Sequence, residues 1–459
     1  MKMTETRDAD VVIVGGGLAG LCAAIAARKA DRSTILIESS TTLGGSALLS
    51  GGSLVFAGTD LQADQEIEDS PGILREDLVR IGGRSADPAL IDVYMAGQAE
   101  AYAWLRKLGV VFGKVTLSGN QSRPRSHGVA PAQLVEVLAA EAERLGVEIV
   151  RETKLSHLIK DGSLVTGVEA DGPSGPYSIR AGRGVILATG GFSRSERALL
   201  TFAPRLVDSR PMSADGSRGD GIYAAMSVGA DLSDMGNVKG TFGVSARHSL
   251  VPEPAILLIA LYRGGIVVDG NGQRFVDESL SYKAIGDRCL SLPDALAYQI
   301  FDQTVMDQTD PAKTVNDFAG ALKRGYVVQA GSIRELAERA GLDADALEQT
   351  VSDYNAAARG EKADAFGRGS LSAGYGELAA IETGPFYLYP STTGLPSTYG
   401  GIRVDSDMNV RDVYGERVAG LWAAGELVGG FHGEGYMSGS SLGKSIIFGL
   451  RAGRKASMA

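Results

Sequence analysis

The chain has 459 residues, of which 44% are apolar and 22% charged, and a formal net charge of -10. That length implies two or three folding units, and the composition excludes a largely disordered chain. The acidic balance, with no Lys/Arg block longer than two residues, argues against nucleic acid or an anionic membrane surface as a partner.

Glycine is the compositional outlier, at 62 residues and roughly twice ordinary usage. The glycines cluster without a Gly-X-Y period, which excludes collagen and suggests places where backbone approaches a ligand closely. Cys22 and Cys289 are too few for a disulfide framework and suit a reducing compartment. Met1–Asp10 is polar and lacks the apolar core of a signal peptide. The longest apolar run, Ala255–Tyr262, falls far short of the roughly 20 residues of a membrane helix. A soluble, cytoplasmic protein is the expectation.

In chain order, Asp10–Val14 reads as a buried strand, Gly15–Gly20 as a tight turn, Leu21–Ala30 as an alanine-rich helix and Thr34–Glu38 as a second strand. Parallel strands joined this way imply an α/β sheet. A helix follows at Pro131–Leu145, then strands at Val147–Val150, Leu155–Ile159 and Val165–Ala170. Strand-to-turn junctions recur at Gly184–Gly191 and Val418–Glu426. From about Met235 to Thr383 the texture changes: Gly-rich turns become sparse and polar helical stretches appear at Ser332–Arg339 and Ala344–Ala358. The expected fold is α/β with an α+β cap. A Rossmann-like dinucleotide-binding domain is split between 1–234 and 381–459, with a substrate-capping domain inserted at 235–380.

Gly15, Gly17 and Gly20 form G-x-G-x-x-G directly after a strand and before a helix, with Ala19 inside it. In that context the pattern is a strong dinucleotide signal. Gly15 permits the turn, Gly17 lets a pyrophosphate lie against backbone, and Gly20 allows close helix–strand packing. The helix N-terminus offers free N–H groups to phosphate, and Glu38 stands where a carboxylate can accept hydrogen bonds from ribose. Only one such fingerprint is present, which argues against a flavin enzyme with its own nicotinamide domain. The segment Gly44–Gly52, containing Gly45, Ser46, Gly51 and Gly52, follows the second strand where an FAD chain would extend. Two further strand-end turns contain Thr189 and Gly190, and Gly425 and Glu426.

These motifs, with Arg274-Phe275, Gly400-Gly401 and Gly420–Gly449, resemble the fumarate reductase/succinate dehydrogenase flavoprotein superfamily, which includes the 3-ketosteroid dehydrogenases. The resemblance covers almost the whole chain and implies FAD as cofactor. It implies that Glu426 holds ribityl or ribose hydroxyls. It also implies that Ser440, Ser441 and Leu442 open a helix whose N-terminus faces the flavin and stabilises its reduced, anionic form. The branch that attaches FAD covalently uses a histidine near Gly44–Gly52; none stands there, so noncovalent FAD is expected.

The sequence departs from the fumarate reductases at their substrate residues. Where their His-Gly-Ala-Asn-Arg-Leu-Gly-Gly stands, this chain has His432-Gly-Glu-Gly-Tyr436-Met-Ser438-Gly439, replacing a carboxylate-binding Arg by Tyr436. Ser397 replaces the His of His-Thr-Met-Gly-Gly, and Ile259-Ala260 replaces a Thr-Glu pair before Arg263-Gly264. Tyr282 replaces the proton-donating Arg that ends Arg-Phe-x-Asn-Glu-x-Thr-Thr-Arg. A site without those groups cannot hold a small dianion in the same way.

Tyrosines at both positions are similar to the flavin ketosteroid dehydrogenases, which remove two hydrogens beside a ring carbonyl. By that resemblance Tyr436 donates a hydrogen bond to the developing enolate oxygen, with a backbone N–H near Ser440. Tyr282 takes the α-proton as phenolate, the β-hydrogen leaves as hydride to flavin N5, and Ser438 hydrogen-bonds either tyrosine or the substrate. The expected partner is a cyclic ketone, with the electron acceptor left open. Two alternatives stand beside it: reduction of an unsaturated carboxylate gripped by Arg263 or Arg403, and an FAD protein that is not an enzyme. His432 is open to a structural or a functional reading. His248 stands near the position of a further substrate histidine, while His127 and His157 read as surface or loop residues. Cys22 reads as helix packing, and no cluster has metal-ligand spacing.

Overall fold

The computed structural model describes residues 6–459 apart from 208, 239, 247–255, 312–313 and 373. His248 therefore lies outside the described residues. The chain forms two compact units: residues 1–116, 125–238 and 396–459 make the first, and residues 117–124 and 239–395 the second.

The first unit is built on a twisted sheet whose centre is parallel. The strand Thr6–Val14 lies between Thr34–Ile37 and Gly175–Leu187, parallel to both. Glu148–Val150 extends the sheet beyond Thr34–Ile37, and Arg417–Ala423 extends it beyond Gly175–Leu187, again parallel. A meander of Lys154–Asp161 and Leu164–Gly172 pairs antiparallel onto the long strand. The central strands read as continuous apolar runs because both faces are covered. Val11, Val12, Ile13, Leu36 and Ile37 are wholly shut off from water, each contributing about 1.5–3 kcal/mol of apolar burial.

The helix Leu18–Lys29 starts earlier than its sequence suggests, with Gly17 as N-cap. Its residues from Leu18 to Ala27 are all buried, because the helix packs along the C-terminal helix Ser440–Ala456 as well as against the sheet. That contact is made of small residues. A Cβ on Gly449 would lie 2.3 Å from the carbonyl oxygen of Ala19, and one on Gly453 would lie 2.2 Å from that of Ala23.

In the second unit, Phe386–Leu395 pairs antiparallel with Thr241–Ser245, Ala297–Phe301 and Val328–Ala330. Ile266–Val268 adds to Ala297–Phe301. Because Phe386–Leu395 belongs to this sheet, the unit reaches residue 395, whereas the sequence texture places the change at 380. The helices Ile333–Ala340 and Ala344–Ala358 begin at side-chain caps, Ser332 accepting from Glu335 N–H at 3.1 Å and Asp343 from Ala346 N–H at 3.0 Å. They bury Leu336, Leu347, Val351 and Tyr354 on Ile266, Ile300 and Leu388 of the sheet. Arg274 and Arg368 are pinned inside this unit by Glu278, and Arg274 also by Asp364. Among the described residues no helix is long and apolar enough to cross a membrane, and no group of three His, Cys, Asp or Glu side chains could hold a metal ion.

Candidate active site

The glycine-rich loop is fixed by its neighbours. Gly15 has φ +109, a region that side chains avoid, and a Cβ there would lie 2.4 Å from the carbonyl oxygen of Ala188. A Cβ on Gly20 would lie 1.8 Å from the oxygen of Gly15, so the helix can follow the strand this closely only with glycine. Gly17 and Gly45 differ: the nearest atom to a Cβ on either is 3.9 Å away. The protein's own packing leaves room at both, which suits a ligand lying against the backbone. Glu38 braces this loop. One carboxylate oxygen accepts from Gly16 N–H at 2.7 Å and the other from Ser40 N–H at 2.7 Å.

Gly44 donates to the oxygen of Gly16 at 2.9 Å, which brings the expected second segment against the first loop. Ser46 accepts from Ala214 N–H at 3.1 Å and lies 3.3 Å from the Ser217 hydroxyl. Gly51 is exposed. Gly52 packs on the strand Ser126–Gly128, its carbonyl accepting from Val129 N–H at 2.7 Å. Thr189 and Gly190 follow the end of the long strand, and the Thr189 hydroxyl is buried with no hydrogen-bond partner among the described residues. Glu426 accepts from Thr398 N–H at 2.8 Å, and a Cβ on Gly191 would meet both side chains. Gly425 and Ala19 touch so closely that a Cβ on Gly425 would lie 2.7 Å from that of Ala19. The fingerprint, Thr189, Glu426 and the C-terminal helix thus belong to one region of the first unit.

Ser53 was missed from sequence. Its hydroxyl is also buried without a partner among the described residues, and a Cβ on Gly439 would lie 2.6 Å from it. Its only signal was a polar residue following Gly51-Gly52. Two orphaned hydroxyls and an open glycine cradle fit a bound group rich in phosphate and hydroxyl oxygens, since buried polar atoms are rarely left unpaired.

The segment from His432 to Ser441 curls onto the start of the C-terminal helix, with Gly439 in the left-handed region as N-cap. Tyr436 is half-buried, and its phenol oxygen accepts from Gly439 N–H at 3.2 Å. Burial pushes this phenol above its ordinary pKa, while Ser441 and the Gly439 N–H oppose the rise. Tyr399, a second residue not singled out from sequence, stacks on the Tyr436 ring. Ser438 and Ser440 are buried, Leu442 half-buried. Lys444, one turn into the helix, is buried and donates to the oxygen of Val428 at 2.6 Å.

In the second unit, Tyr282 is the first residue of the helix Tyr282–Cys289, capped by Ser281, which accepts from Ala284 N–H at 3.2 Å. The buried ammonium of Lys283 lies 5.7 Å from the Tyr282 ring centroid and donates to the Thr241 hydroxyl. The ring of Tyr262 lies 6.3 Å away, its hydroxyl donating to the oxygen of Leu280 at 2.6 Å. Arg263, on the preceding turn, is held against Asn316 at 3.0 Å. Arg403, in the first unit, is paired with Asp231.

The histidines divide. His157 is an exposed strand residue. His127 is not a surface residue: it is fully buried in the strand Ser126–Gly128, 2.8 Å from the Thr59 hydroxyl and 2.8 Å from the oxygen of Arg125. Phe56, Tyr102 and Phe112 enclose it, and burial lowers its pKa. Cys22 is buried in the first helix.

A family model described as FAD binding domain matches residues 10–442. The NADH:fumarate oxidoreductase of Klebsiella pneumoniae is 29% identical over 455 residues, 97% of this chain and 47% of that protein. The fumarate reductase (cytochrome) of Shewanella frigidimarina is 30% identical, over 97% of this chain and 76% of that protein. The chain thus spans about half the first relative and three quarters of the second. Among solved structures, the 3-ketosteroid-delta4-(5alpha)-dehydrogenase from Rhodococcus jostii RHA1, in complex with 4-androstene-3,17-dione, matches with a TM-score of 0.78 and 28% identity. That alignment covers 99% of this chain and 98% of the other.

Proposed function

The chain belongs to the FAD binding domain family, with FAD as its cofactor, and on that premise we propose that it is a dehydrogenase forming a C=C bond beside a ring ketone. The substrate class is a 3-oxosteroid or a smaller cyclohexanone-type ring. The chain is an FAD-dependent oxidoreductase related to both fumarate reductases and ketosteroid dehydrogenases.

One observation supports the ketone most directly. The Tyr436 oxygen accepts from the Gly439 N–H at 3.2 Å. A phenol oxygen accepts and donates at once, so its own hydrogen is directed away from that N–H. In the proposed reaction that hydrogen meets the substrate carbonyl and stabilises the enolate oxygen as charge develops there. Tyr282 takes the α-proton at its phenol oxygen. The buried Lys283 ammonium lies beside its ring. FAD, when bound, supplies the acceptor for the β-hydrogen as hydride. Gly15, Gly17, Ala19, Gly20, Glu38, Gly45, Ser46, Gly51, Gly52, Thr189, Gly190, Gly425, Glu426, Ser440, Ser441 and Leu442 are proposed to hold it without a covalent link.

A second reading, reduction of an unsaturated carboxylate, is favoured by what the Klebsiella and Shewanella relatives are named for. It needs a cationic grip; Arg403 is paired with Asp231, and Arg263 lies against the neutral Asn316 amide. Anaerobic mixing of the oxidised protein with saturated ring ketones separates the two. Bleaching of the flavin band supports the ketone dehydrogenase. No bleaching, with reoxidation of the chemically reduced protein by unsaturated acids but not by enones, would replace it with the second reading.

A further inference from the structure

The loop that presents Tyr436 is tied on both sides, and the two ties differ in kind. Downstream, Gly439 caps the C-terminal helix and its N–H donates to the Tyr436 oxygen at 3.2 Å. Upstream stands Gly433-Glu434-Gly435. Two glycines in three residues give the backbone wide freedom, and fixing it costs about 1–2 kcal/mol per residue. The stretch nonetheless has one place, laid against the end of the helix Pro71–Gly82. A Cβ on Gly433 would lie 2.1 Å from the oxygen of Gly82, and one on Gly435 would lie 2.6 Å from that of Ile81.

Glu434 makes the grip. A helix leaves its last carbonyls without intrahelical donors, and the Glu434 N–H donates to the Gly82 oxygen at 2.9 Å. Its side chain then reaches past the helix end. Oε1 accepts from the Arg84 N–H at 3.2 Å, and the carboxylate lies over Gly83, where a Cβ would be 2.6 Å from Oε2. Gly83 has φ +59, so the turn that aims the Arg84 N–H at Glu434 is one that glycine adopts readily. One residue thus donates to and accepts from the turn on which the helix ends. A third bond joins the same two stretches, Asp87 N–H donating to the Gly430 oxygen at 2.7 Å. Of the three, only the bond to the Glu434 carboxylate is made by a side chain.

We propose that Glu434 is a positioning residue for Tyr436: its carboxylate, by holding the Arg84 N–H, fixes the loop two residues upstream and with it the place of the phenol. This rests on the reading of Tyr436 as the group that meets a substrate carbonyl. It adds to that site an exposed side chain that acts through the backbone, and a requirement on it, namely an acceptor oxygen that reaches the Arg84 N–H.

The test uses the FAD-loaded protein labelled with carbon-13 at the tyrosine Cζ, the Tyr436 resonance being the one absent from Y436F. The Cζ shift responds to the hydrogen bond at the phenol oxygen, which changes if the loop drifts. E434L keeps the length of the side chain and removes the acceptor; E434A withdraws the side chain altogether. Both are expected to displace the Tyr436 resonance by more than its linewidth. In E434Q, whose amide oxygen can accept from the Arg84 N–H, it is expected at the wild-type position. A resonance unmoved in either E434L or E434A overturns the proposal. Displacement in both without recovery in E434Q overturns it as well, since loss of the negative charge alone would do that. No substrate enters this measurement. If no ring ketone bleached the flavin, the reading of the reaction would fall while the link from Glu434 to Tyr436 was still decided by the spectra.

Discussion

The ring of Tyr436 lies parallel to that of Tyr399, with 9° between their planes and 5.3 Å between centroids. Stacking holds the phenol broadside while the Gly439 N–H fixes its oxygen, so the group is set before any ligand arrives.

Phenylalanine at position 436 keeps the stack and loses the hydrogen. Y436F is expected to retain FAD and to slow flavin reduction by a ring ketone about 10²–10³-fold, the effect of removing one donor to a developing oxyanion. Anaerobic stopped-flow absorbance reads the rate constant. An unchanged rate would remove Tyr436 from the chemistry.

Tyr282→Phe deletes the proposed proton acceptor and keeps the ring beside Lys283. A loss of about 10²–10⁴-fold in flavin reduction is expected for a missing general base, with ketone binding little altered. Turnover at the wild-type rate would assign the α-proton to another group.

Thr189 carries a buried hydroxyl with no partner among the described residues. Removing an unsatisfied group relieves its desolvation penalty, about 1–3 kcal/mol. T189V is therefore expected to make the flavin-free protein more stable to urea while weakening FAD binding, measured by fluorescence titration. If both fell together, the hydroxyl would be supporting the fold rather than waiting for the cofactor.

Lys444 is 1% exposed, and burial lowers its pKa from the ordinary 10.5 to about 7, against the pull of Glu426 and Asp234. Between those values the unfolded chain binds more protons than the folded one, so stability rises with pH across that window. K444M removes the penalty. Its advantage over wild type is expected to be greatest below pH 7, at up to about 5 kcal/mol, less the lost bond to Val428. The advantage shrinks as pH approaches 10. Urea titrations at several pH values would show it, and a difference independent of pH would contradict the shift.

Gly449 faces the Ala19 carbonyl too closely for a side chain. G449A gains about 1 kcal/mol of helix propensity. Its methyl forces the two helices apart, a strain of about 1–3 kcal/mol, so a net loss of thermal stability is expected. A stabilised variant would show the helix pair to be looser than described.

Much of the first unit was legible because its signals are local. The run Val11–Val14, the glycines of the loop and the strand ending at Ile37 declare a βαβ unit within thirty or so residues, and the sheet forms there. Helix starts were less legible: nothing in Leu18-Ala-Gly20 shows that the turn is already helical, since Gly17 caps without a side-chain bond. Long-range neighbours were not legible at all. His127 looked like a loop residue because the aromatic rings that bury it come from Phe56, Tyr102 and Phe112. The spacing of Gly449 and Gly453 gains its meaning only from Ala19 and Ala23, more than four hundred residues away. Ser441 and His432 are nine apart, a spacing with no helical or strand period to announce a contact.

The sheet of the first unit pairs Gly175–Leu187 with Arg417–Ala423, and everything from 239 to 395 belongs to the other unit. On a ribosome, the early strands and the glycine loop emerge long before the strand that completes their sheet. Synthesis runs at roughly 5–20 residues per second, so the half-built nucleotide fold waits on the order of ten seconds or more with one sheet edge unpaired. Such edges invite association with other chains. Chaperone dependence during expression, relieved by slowing initiation rather than by adding flavin, is the behaviour this chain order implies.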